Sequence, residues 1–250
     1  MPDISLIIPA YNEAERIVGT VSEALAYFAR KGLAGEVIVS ADGNDATRDL
    51  VREMASSRPG IVVIGSAQRR GKGRGIREGV DLATGDVIGF TDADNKTPID
   101  ELDKVLPLLT AGADLVIGSR AGKAALIERP QKLYRRIGSR GFALFMHAAV
   151  GLNGIADTQC GFKFFRGDVA RDLFRRQQID GYMYDVEILY LAKRAGYRLD
   201  QVPVRWRDDG DSRLDLIAGN LRNVRDVLSV RWMHRRTAAG RVRVPSSSQP

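Results

Sequence analysis

Two aspartates one residue apart, Asp92 and Asp94, have the types and spacing to bind a metal ion. They follow the apolar run 87–90, which predicts a buried strand. Residues i and i+2 of a strand face the same side, so both carboxylates can turn toward one cation at its end. Such oxygen ligands suit Mg²⁺ or Mn²⁺, which share carboxylates with substrate phosphates. The alternative is a solvated turn that caps a helix beginning near Pro98.

Other polar residues also follow predicted strands. The sequence predicts strands over 4–8, 36–40, 61–64, 87–90 and 115–118, with helices between them. The polar motifs after these strands are Tyr11-Asn12-Glu13, Asp42, the glycine-rich loop 70–75 with Lys72, Asp92 and Asp94, and Ser119-Arg120. The carboxyl ends of parallel strands meet at one edge of a sheet, where ligands bind. We therefore expect these motifs to meet in one site.

The elements that must position this site predict an α/β fold. Strands that alternate with helices at this spacing predict right-handed βαβ units and a mostly parallel central sheet. Strands that are apolar throughout, rather than alternating, predict helices on both faces of the sheet. We expect a single domain over 1–236, with halves 1–118 and 119–236, and a disordered tail over 237–250.

The second half has a less regular pattern. It predicts a helix over 133–150, a turn and strand over 157–165, a helix over 185–194 ended by Gly196, and a strand over 197–207. A last amphipathic helix carries Leu214, Ile217, Leu221, Val224 and Leu228. The helices 133–150 and 213–232 combine apolar and arginine-rich faces, which is typical of interfacial helices and also of ordinary packing.

Charge is distributed unevenly along the chain of 250 residues, whose net charge is +7. Residues 1–118 contain 13 Lys/Arg and 18 Asp/Glu, a net charge of −5, whereas residues 119–250 contain 25 and 13, a net charge of +12. The second half thus favours an anionic partner or a solvated basic surface. One cysteine, Cys160, excludes an internal disulfide and fits a reducing compartment. No apolar run reaches the roughly 18–20 residues of a membrane span.

Together these motifs resemble a known enzyme family. Pro9-Ala10-Tyr11-Asn12-Glu13, Asp42-Gly43, Gly71-Lys72-Gly73, Asp92-Ala93-Asp94 and Gly118-Ser119-Arg120 occur in the order seen in the inverting family 2 glycosyltransferases. The motifs 157–163, 184–187, 202–204 and 212–214 resemble those of the dolichyl-phosphate β-glucosyltransferases, with the dolichol-phosphate mannose synthases as close relatives. The resemblance covers residues 3–232 and implies the nucleotide-sugar-binding, GT-A-like fold.

The resemblance implies a role for each motif on the donor side. The nucleotide-binding residues would be Pro9, Ala10, Tyr11, Glu13, Asp42, Lys72 and Asp92. Asp94 would bind the metal at the diphosphate, and Asp92 would hold the ribose or support the metal. In the mannose synthases a Gln two positions after the second Asp is also a ligand, and here Lys96 replaces it. A charged lysine cannot bind a metal, so Lys96 either meets phosphate or weakens metal binding.

On the acceptor side, Arg120, Arg135 and Arg213 match family positions that contact acceptor phosphate. Arginine suits phosphate because it forms bidentate hydrogen bonds. A lipid monophosphate has a second pKa of about 6, so it is already an anionic nucleophile at neutral pH. A hydroxyl acceptor would instead need a general base, for which Asp185 and Glu187 are the candidates.

We therefore expect an inverting, metal-dependent hexosyltransferase that moves glucose from UDP-glucose onto a polyprenyl phosphate. We expect it to act at the cytoplasmic face of a membrane by peripheral contact, and we expect no nucleic-acid partner. The alternatives are a GDP-mannose donor, a soluble hydroxyl acceptor, or a nucleotide-sugar-binding protein without transfer activity. A nucleic-acid-binding protein fits the basic half but leaves Asp92 and Asp94 unexplained.

Overall fold

A single seven-stranded sheet runs through the computed structural model, which describes residues 3–121, 149–207 and 218–235. The strands are β1 (Ile4–Tyr11), β2 (Gly35–Asp42), β3 (Ile61–Ile64), β4 (Val87–Thr91), β5 (Leu115–Ser119), β6 (Phe162–Arg166) and β7 (Leu199–Pro203). The helices are α1 (Ile17–Lys31), α2 (Thr47–Ser57), α3 (Lys72–Leu82), α4 (Leu102–Thr110), α5 (Gly167–Arg176), α6 (Tyr184–Ala195) and α7 (Ala218–Met233). Most of the predicted helix 133–150 (residues 133–148), Arg135, Arg213 and the tail lie outside the described residues, and residues 149 and 150 are helical.

The strand order is β3-β2-β1-β4-β6-β5-β7. The strand pairs are parallel except those of β6, which runs antiparallel between β4 and β5. The predicted mostly parallel sheet is thus confirmed. The interruption by β6 places a strand of the second half inside the sheet of the first half.

Helices cover both faces of the sheet, as predicted. Buried residues of α1, α2 and α4 form the core on one face, among them Val21, Val51 and Val105. Buried residues of α3, α5, α6 and α7 form the core on the other face, among them Val80 and Leu189. Because the strands are buried on both sides, each contributes apolar side chains to two cores.

Several predicted boundaries were wrong for identifiable reasons. β1 continues through Pro9 to Tyr11 rather than stopping at the proline. Asn12 follows β1 with a positive φ of 54°, and its Oδ1 accepts a hydrogen bond from the Asn44 backbone N at 3.1 Å, while α1 begins only at Ile17. The loop predicted over 70–75 is partly helical, because α3 begins at Lys72.

Two elements of the second half also differ from prediction. The strand expected over 197–207 is shorter and spans Leu199–Pro203. Helix α5 was not predicted. It begins at Gly167, directly after β6 ends at Arg166, so no loop marks its start. In contrast, α6 ends at Gly196, whose φ of 74° is left-handed, as its glycine predicted.

Candidate active site

The polar motifs predicted to converge lie along the carboxyl ends of the parallel strands. Tyr11 pairs with Asp42 at the ends of β1 and β2, and Asp92 follows β4 directly. Ser119 ends β5, and Lys72 begins the helix that follows β3. The edge of the sheet therefore carries these residues together, as predicted from the strand ends.

Lys72 and Asp92 form an ion pair at the centre of this edge, with Nζ 2.5 Å from Oδ1 of Asp92. Burial opposes the charged form and by itself lowers the pKa of Lys72. The nearby carboxylates of Asp92 and Asp185 outweigh burial and raise the pKa of Lys72 above its ordinary value. The ammonium group thus stays charged at neutral pH.

Asp94 lies two positions after Asp92, on a loop that hydrogen bonds join to α1. The Thr20 hydroxyl donates a hydrogen bond to the Ala93 carbonyl at 2.7 Å, and the Asn95 side chain donates one to Glu23. Lys96 Nζ lies 3.3 Å from Oδ2 of Asp94. Both carboxylates of the pair thus have an ammonium group beside them.

The two carboxylates of Asp92 and Asp94 fit a divalent metal that binds together with a diphosphate. Asp92 and Asp94 supply two carboxylates, and the described residues contain no group of three or more His, Cys, Asp or Glu side chains placed to hold an ion. Mg²⁺ and Mn²⁺ are commonly bound in this way, with substrate phosphates and water completing the shell. The residues at this edge of the sheet fit such an ion.

Gly161 brings a backbone segment of the second half directly against Asp92. A Cβ placed on Gly161 would collide with the carboxylate of Asp92, so a side chain at this position would displace it. Gly161 lies within the motif 157–163, whose local sequence gives no sign of this contact. The contact joins the loop before β6 to the loop after β4.

Lys163, on β6, is fully buried beneath this contact. Its Nζ lies 2.7 Å from Oδ1 of Asp185 and donates a hydrogen bond to the Cys160 carbonyl at 2.6 Å. The burial of Lys163 was not predicted, because a lysine in a strand is usually a solvent-facing residue. The ion pair fastens β6 to the start of α6.

Asp185 and Glu187, the two candidate bases, are both buried. Burial is the main cause that raises the pKa of Asp185, while Lys163 and Lys72 oppose it. Glu187 accepts hydrogen bonds from the backbone N atoms of Gln178 and Ile179, both at 2.8 Å. Glu187 therefore holds the loop before α6, and Asp185 belongs to the Lys163 ion pair.

The Asp42 carboxylate organises the loop after β3. It accepts hydrogen bonds from the Ser66 backbone N at 3.1 Å and from the Arg70 backbone N at 2.7 Å. The Glu13 backbone N donates to the Thr47 hydroxyl at 2.9 Å, which fixes the loop after β1. Pro9 and Ala10 lie within β1 and pair with β2.

Two tyrosines and an arginine border the donor side of the site. The Arg69 guanidinium lies 4.5 Å from the ring centroid of Tyr11 and donates a hydrogen bond to the Tyr182 hydroxyl at 3.0 Å. Tyr11 was predicted from the sequence as a site residue, whereas Arg69 and Tyr182 were not. The three side chains come from β1, the loop after β3 and the loop before α6, so only the fold brings them together.

Arg120 follows β5 and is engaged with Asp157. Its Nε lies 2.7 Å from Oδ2 and its Nη2 lies 2.9 Å from Oδ1 of that carboxylate. The guanidinium also lies 5.6 Å from the ring centroid of Trp206. Of the three predicted acceptor arginines, Arg120 is thus at the edge of the sheet, and Arg135 and Arg213 lie outside the described residues.

Cys160 is buried beside these groups. Burial raises the pKa of its thiol to about 11. The thiol is therefore protonated at neutral pH, and Cys160 is a packing residue rather than a nucleophile.

The family model for glycosyl transferase family 2 matches residues 5–174. The chain belongs to this family. Among curated relatives, a dolichyl-phosphate beta-glucosyltransferase of Trichomonas vaginalis is 32% identical over 90% of this chain and 70% of its own length. The enzyme of the same name from Drosophila melanogaster is 32% identical over 96% of this chain and 77% of its own length.

Solved structures share the fold of this glycosyltransferase at low identity. Mannosyl-3-phosphoglycerate synthase from Rubrobacter xylanophilus aligns with a TM-score of 0.68 and 19% identity, covering 98% of this chain and 79% of its own. Glucosyl-3-phosphoglycerate synthase from Mycobacterium tuberculosis, in complex with Mn²⁺, UDP-glucose and phosphoglyceric acid, aligns with a TM-score of 0.64 and 22% identity, covering 92% and 79%. The predicted family and GT-A-like fold are confirmed.

Proposed function

We propose that this glycosyltransferase moves glucose from UDP-glucose to a polyprenyl phosphate, with inversion at the anomeric carbon. Its similarity to the dolichyl-phosphate beta-glucosyltransferases over 90% or more of the chain supports both the sugar and the acceptor class. The observation that carries the acceptor class is the buried ion pair of Lys163 and Asp185.

On the donor side, the nucleotide lies along the ends of β1 and β2. Tyr11, exposed and beside Arg69, offers a flat surface to the base, and Asp42 and Glu13 lie where they can meet the base and ribose. Lys72, charged and next to Asp92, contacts the diphosphate. Asp92 and Asp94 would hold Mg²⁺ or Mn²⁺, which when bound neutralises charge on the departing diphosphate.

On the acceptor side, the carboxylate geometry disfavours a hydroxyl. A hydroxyl must lose a proton as it attacks, which requires a carboxylate within reach of it. Asp185 and Glu187 are instead buried and bound to Lys163 and to backbone N–H groups. A phosphate monoester with a second pKa of about 6 needs no such base.

The transfer then needs no proton movement. A phosphate oxygen of the acceptor forms a bond to the anomeric carbon as the bond from that carbon to the diphosphate breaks. The electron pair leaves with the nucleoside diphosphate, whose charge Lys72 helps to stabilise. Attack from the face opposite the leaving group inverts the configuration. Arg120, at the end of β5, together with Arg135 and Arg213, would contact the acceptor phosphate.

None of the helices in the described ranges is long and apolar enough to cross a membrane. We propose peripheral contact, at the cytoplasmic face, for an enzyme whose acceptor is anchored in the bilayer by its prenyl chain. The basic second half, with its net charge of +12, supports attraction to an anionic surface.

Release of nucleoside diphosphate tests this proposal. The purified chain is incubated with UDP-glucose or GDP-mannose, with Mn²⁺, and with either a polyprenyl phosphate or the matching polyprenol. We expect release only from UDP-glucose with the phosphate acceptor. Equal release with the polyprenol would contradict the acceptor class, and release only from GDP-mannose would contradict the donor.

A further inference from the structure

The last helix, α7 (Ala218–Met233), carries apolar side chains on two opposite faces. Val227 and Val230 are buried against the core, and His234, just after the helix, lies with Nε2 2.6 Å from Oε1 of Glu187. Leu228 and Trp232 point the other way and are 57% and 64% exposed. One face of α7 is thus packed against the core, while the apolar residues of the other face are exposed.

Leu228 and Trp232 are the most exposed of the large apolar side chains among the described residues. They lie four residues apart, so they sit on the same side of the helix, one turn from each other. Single exposed apolar residues are ordinary on protein surfaces, whereas here a leucine and a tryptophan lie side by side on one helix face.

Arginines surround this apolar pair. Arg225, Arg231 and Arg235 are exposed, and the Arg235 guanidinium lies 4.7 Å from the ring centroid of Trp232. We call Arg225, Leu228, Arg231, Trp232 and Arg235 the outer face of α7. The sequence after it, 236–250, adds the three arginines Arg236, Arg241 and Arg243 and contains no Asp or Glu.

We propose that the outer face of α7 docks on the surface of a bilayer that contains anionic lipids. Tryptophan and leucine side chains enter the boundary between headgroups and acyl chains, while arginine side chains reach the lipid phosphates around them. The positive charge of the outer face favours an anionic bilayer over a second copy of the chain, because a symmetric dimer would bring the arginines of two outer faces together.

Helix α7, which carries the outer face, is linked to the candidate active site. A Cβ on Gly181 would lie 3.8 Å from Oδ2 of Asp226, so α7 adjoins the loop before α6. That loop also borders α3 near Lys72, since the Arg74 backbone N donates to the Asp180 carbonyl at 3.2 Å. The benefit of docking rests on the proposed function, because a polyprenyl phosphate presents its phosphate at the same bilayer surface.

Vesicle binding tests the outer face without donor or acceptor. The full chain is sedimented with vesicles of phosphatidylcholine, with and without phosphatidylglycerol. A Trp206→Phe variant leaves Trp232 as the single tryptophan of the chain, and its fluorescence reports whether the ring enters the bilayer. We expect binding to the mixed vesicles with a blue shift of the emission.

Two pairs of variants separate the apolar and the charged contributions. Leu228→Ser/Trp232→Ser should reduce binding at least about tenfold, because the buried apolar area is lost. Arg225→Glu/Arg235→Glu should reduce it by more than about fivefold per arginine, since each basic residue near the surface contributes roughly that factor. The matched controls, Leu82→Ser and Arg58→Glu/Arg175→Glu, replace exposed residues elsewhere and should bind like the wild type.

The binding results distinguish a bilayer from a second copy of the chain as the partner of the outer face. No binding of the wild type to mixed vesicles, or equal binding by the outer-face variants and their controls, would overturn the proposal. Dissociation of a wild-type dimer by Leu228→Ser/Trp232→Ser, with vesicle binding unchanged, would assign the face to a second copy instead. Transfer to a short-chain polyprenyl phosphate in detergent is measured separately, so failure of the proposed reaction leaves the vesicle result standing on its own.

Discussion

At the scale of single residues, the Asp92 and Asp94 carboxylates each face an ammonium group. Lys72 lies 2.5 Å from Asp92, and Lys96 lies 3.3 Å from Asp94. A metal ion and these two lysines would compete for the same carboxylate oxygens. A bound diphosphate would give the lysines another anionic partner. The Lys72–Asp92 and Lys96–Asp94 pairs therefore favour binding of the metal ion together with the nucleotide.

Replacement of Asp94 tests the central carboxylate. We expect Asp94→Ala to lose transfer by about 100-fold or more, because the carboxylate that would hold the ion at the diphosphate is gone. Asp81→Ala, which removes an exposed carboxylate from α3, is the matched control and should keep wild-type activity. Turnover measured with saturating donor and acceptor checks the difference, and wild-type turnover by Asp94→Ala would rule out the assignment.

Gly161 offers a second test at this scale. An added Cβ would push the Asp92 carboxylate away from Lys72, so Gly161→Ala should lower kcat/KM for the donor by about 10- to 100-fold. Gly19→Ala is the control, because a Cβ at Gly19 meets nothing within 4 Å. Steady-state kinetics together with thermal melting separate lost positioning from lost folding. Unchanged kcat/KM would mean that the position of Asp92 is unimportant.

The sequence predicted some of these residues and not others. Tyr11, Asp42, Asp92 and Ser119 were found because the ends of parallel strands meet wherever the sheet forms. Gly161 and Lys163 were missed because their contacts depend on where β6 enters the sheet. No local pattern encodes that position.

At the scale of elements, the Lys163–Asp185 ion pair joins β6 to α6 inside the protein. Removal of one member leaves the other charge buried without its partner. Such a loss is costly, whereas replacement of both members by apolar residues is often tolerated. The pair therefore predicts a non-additive response to mutation.

We expect Lys163→Met to lower the free energy of unfolding by about 3–5 kcal/mol. The double variant Lys163→Met/Asp185→Leu should recover most of this loss. Lys31→Met is the control, because the Lys31–Asp103 pair is exposed and should contribute less than about 1 kcal/mol. Urea unfolding measures all three, and a loss for Lys163→Met no larger than that for Lys31→Met would refute the role of the buried pair.

Prediction at this scale succeeded where periodicity was strong. The strand over Ile61–Ile64 was found at its observed bounds, and α6 was found with its glycine C-cap. Helix α5 was missed although Val169 and Leu173 recur at helical spacing, because it begins directly after β6 with no loop between them to mark the change. The antiparallel direction of β6 could not be predicted, since its apolar pattern fits either direction.

At the scale of the whole molecule, ligand binding should appear as added stability. UDP with Mn²⁺ at about 100 times the dissociation constant would add roughly 2.7 kcal/mol, which corresponds to about 5–10 °C in Tm for a domain of this size. Mn²⁺ by itself should shift Tm much less, because the described site offers it two carboxylates that lysines already contact.

Thermal melting of wild type and Asp94→Ala measures these shifts. The variant should respond to UDP with Mn²⁺ no more than to UDP by itself. A shift with Mn²⁺ by itself as large as that with both ligands would show that the ion binds without the nucleotide.

The position of β6 has a consequence for how the chain folds during synthesis. β5 pairs with β6 and β7, both of which lie later in the sequence, while β4 needs β6 as its second neighbour. As the ribosome releases the first 119 residues, β1 to β4 can already associate, but β5 has yet to meet its pairing strands. Completion of the sheet therefore waits for the second half of the chain, and a fragment that ends after β5 would expose unpaired strand edges that promote aggregation.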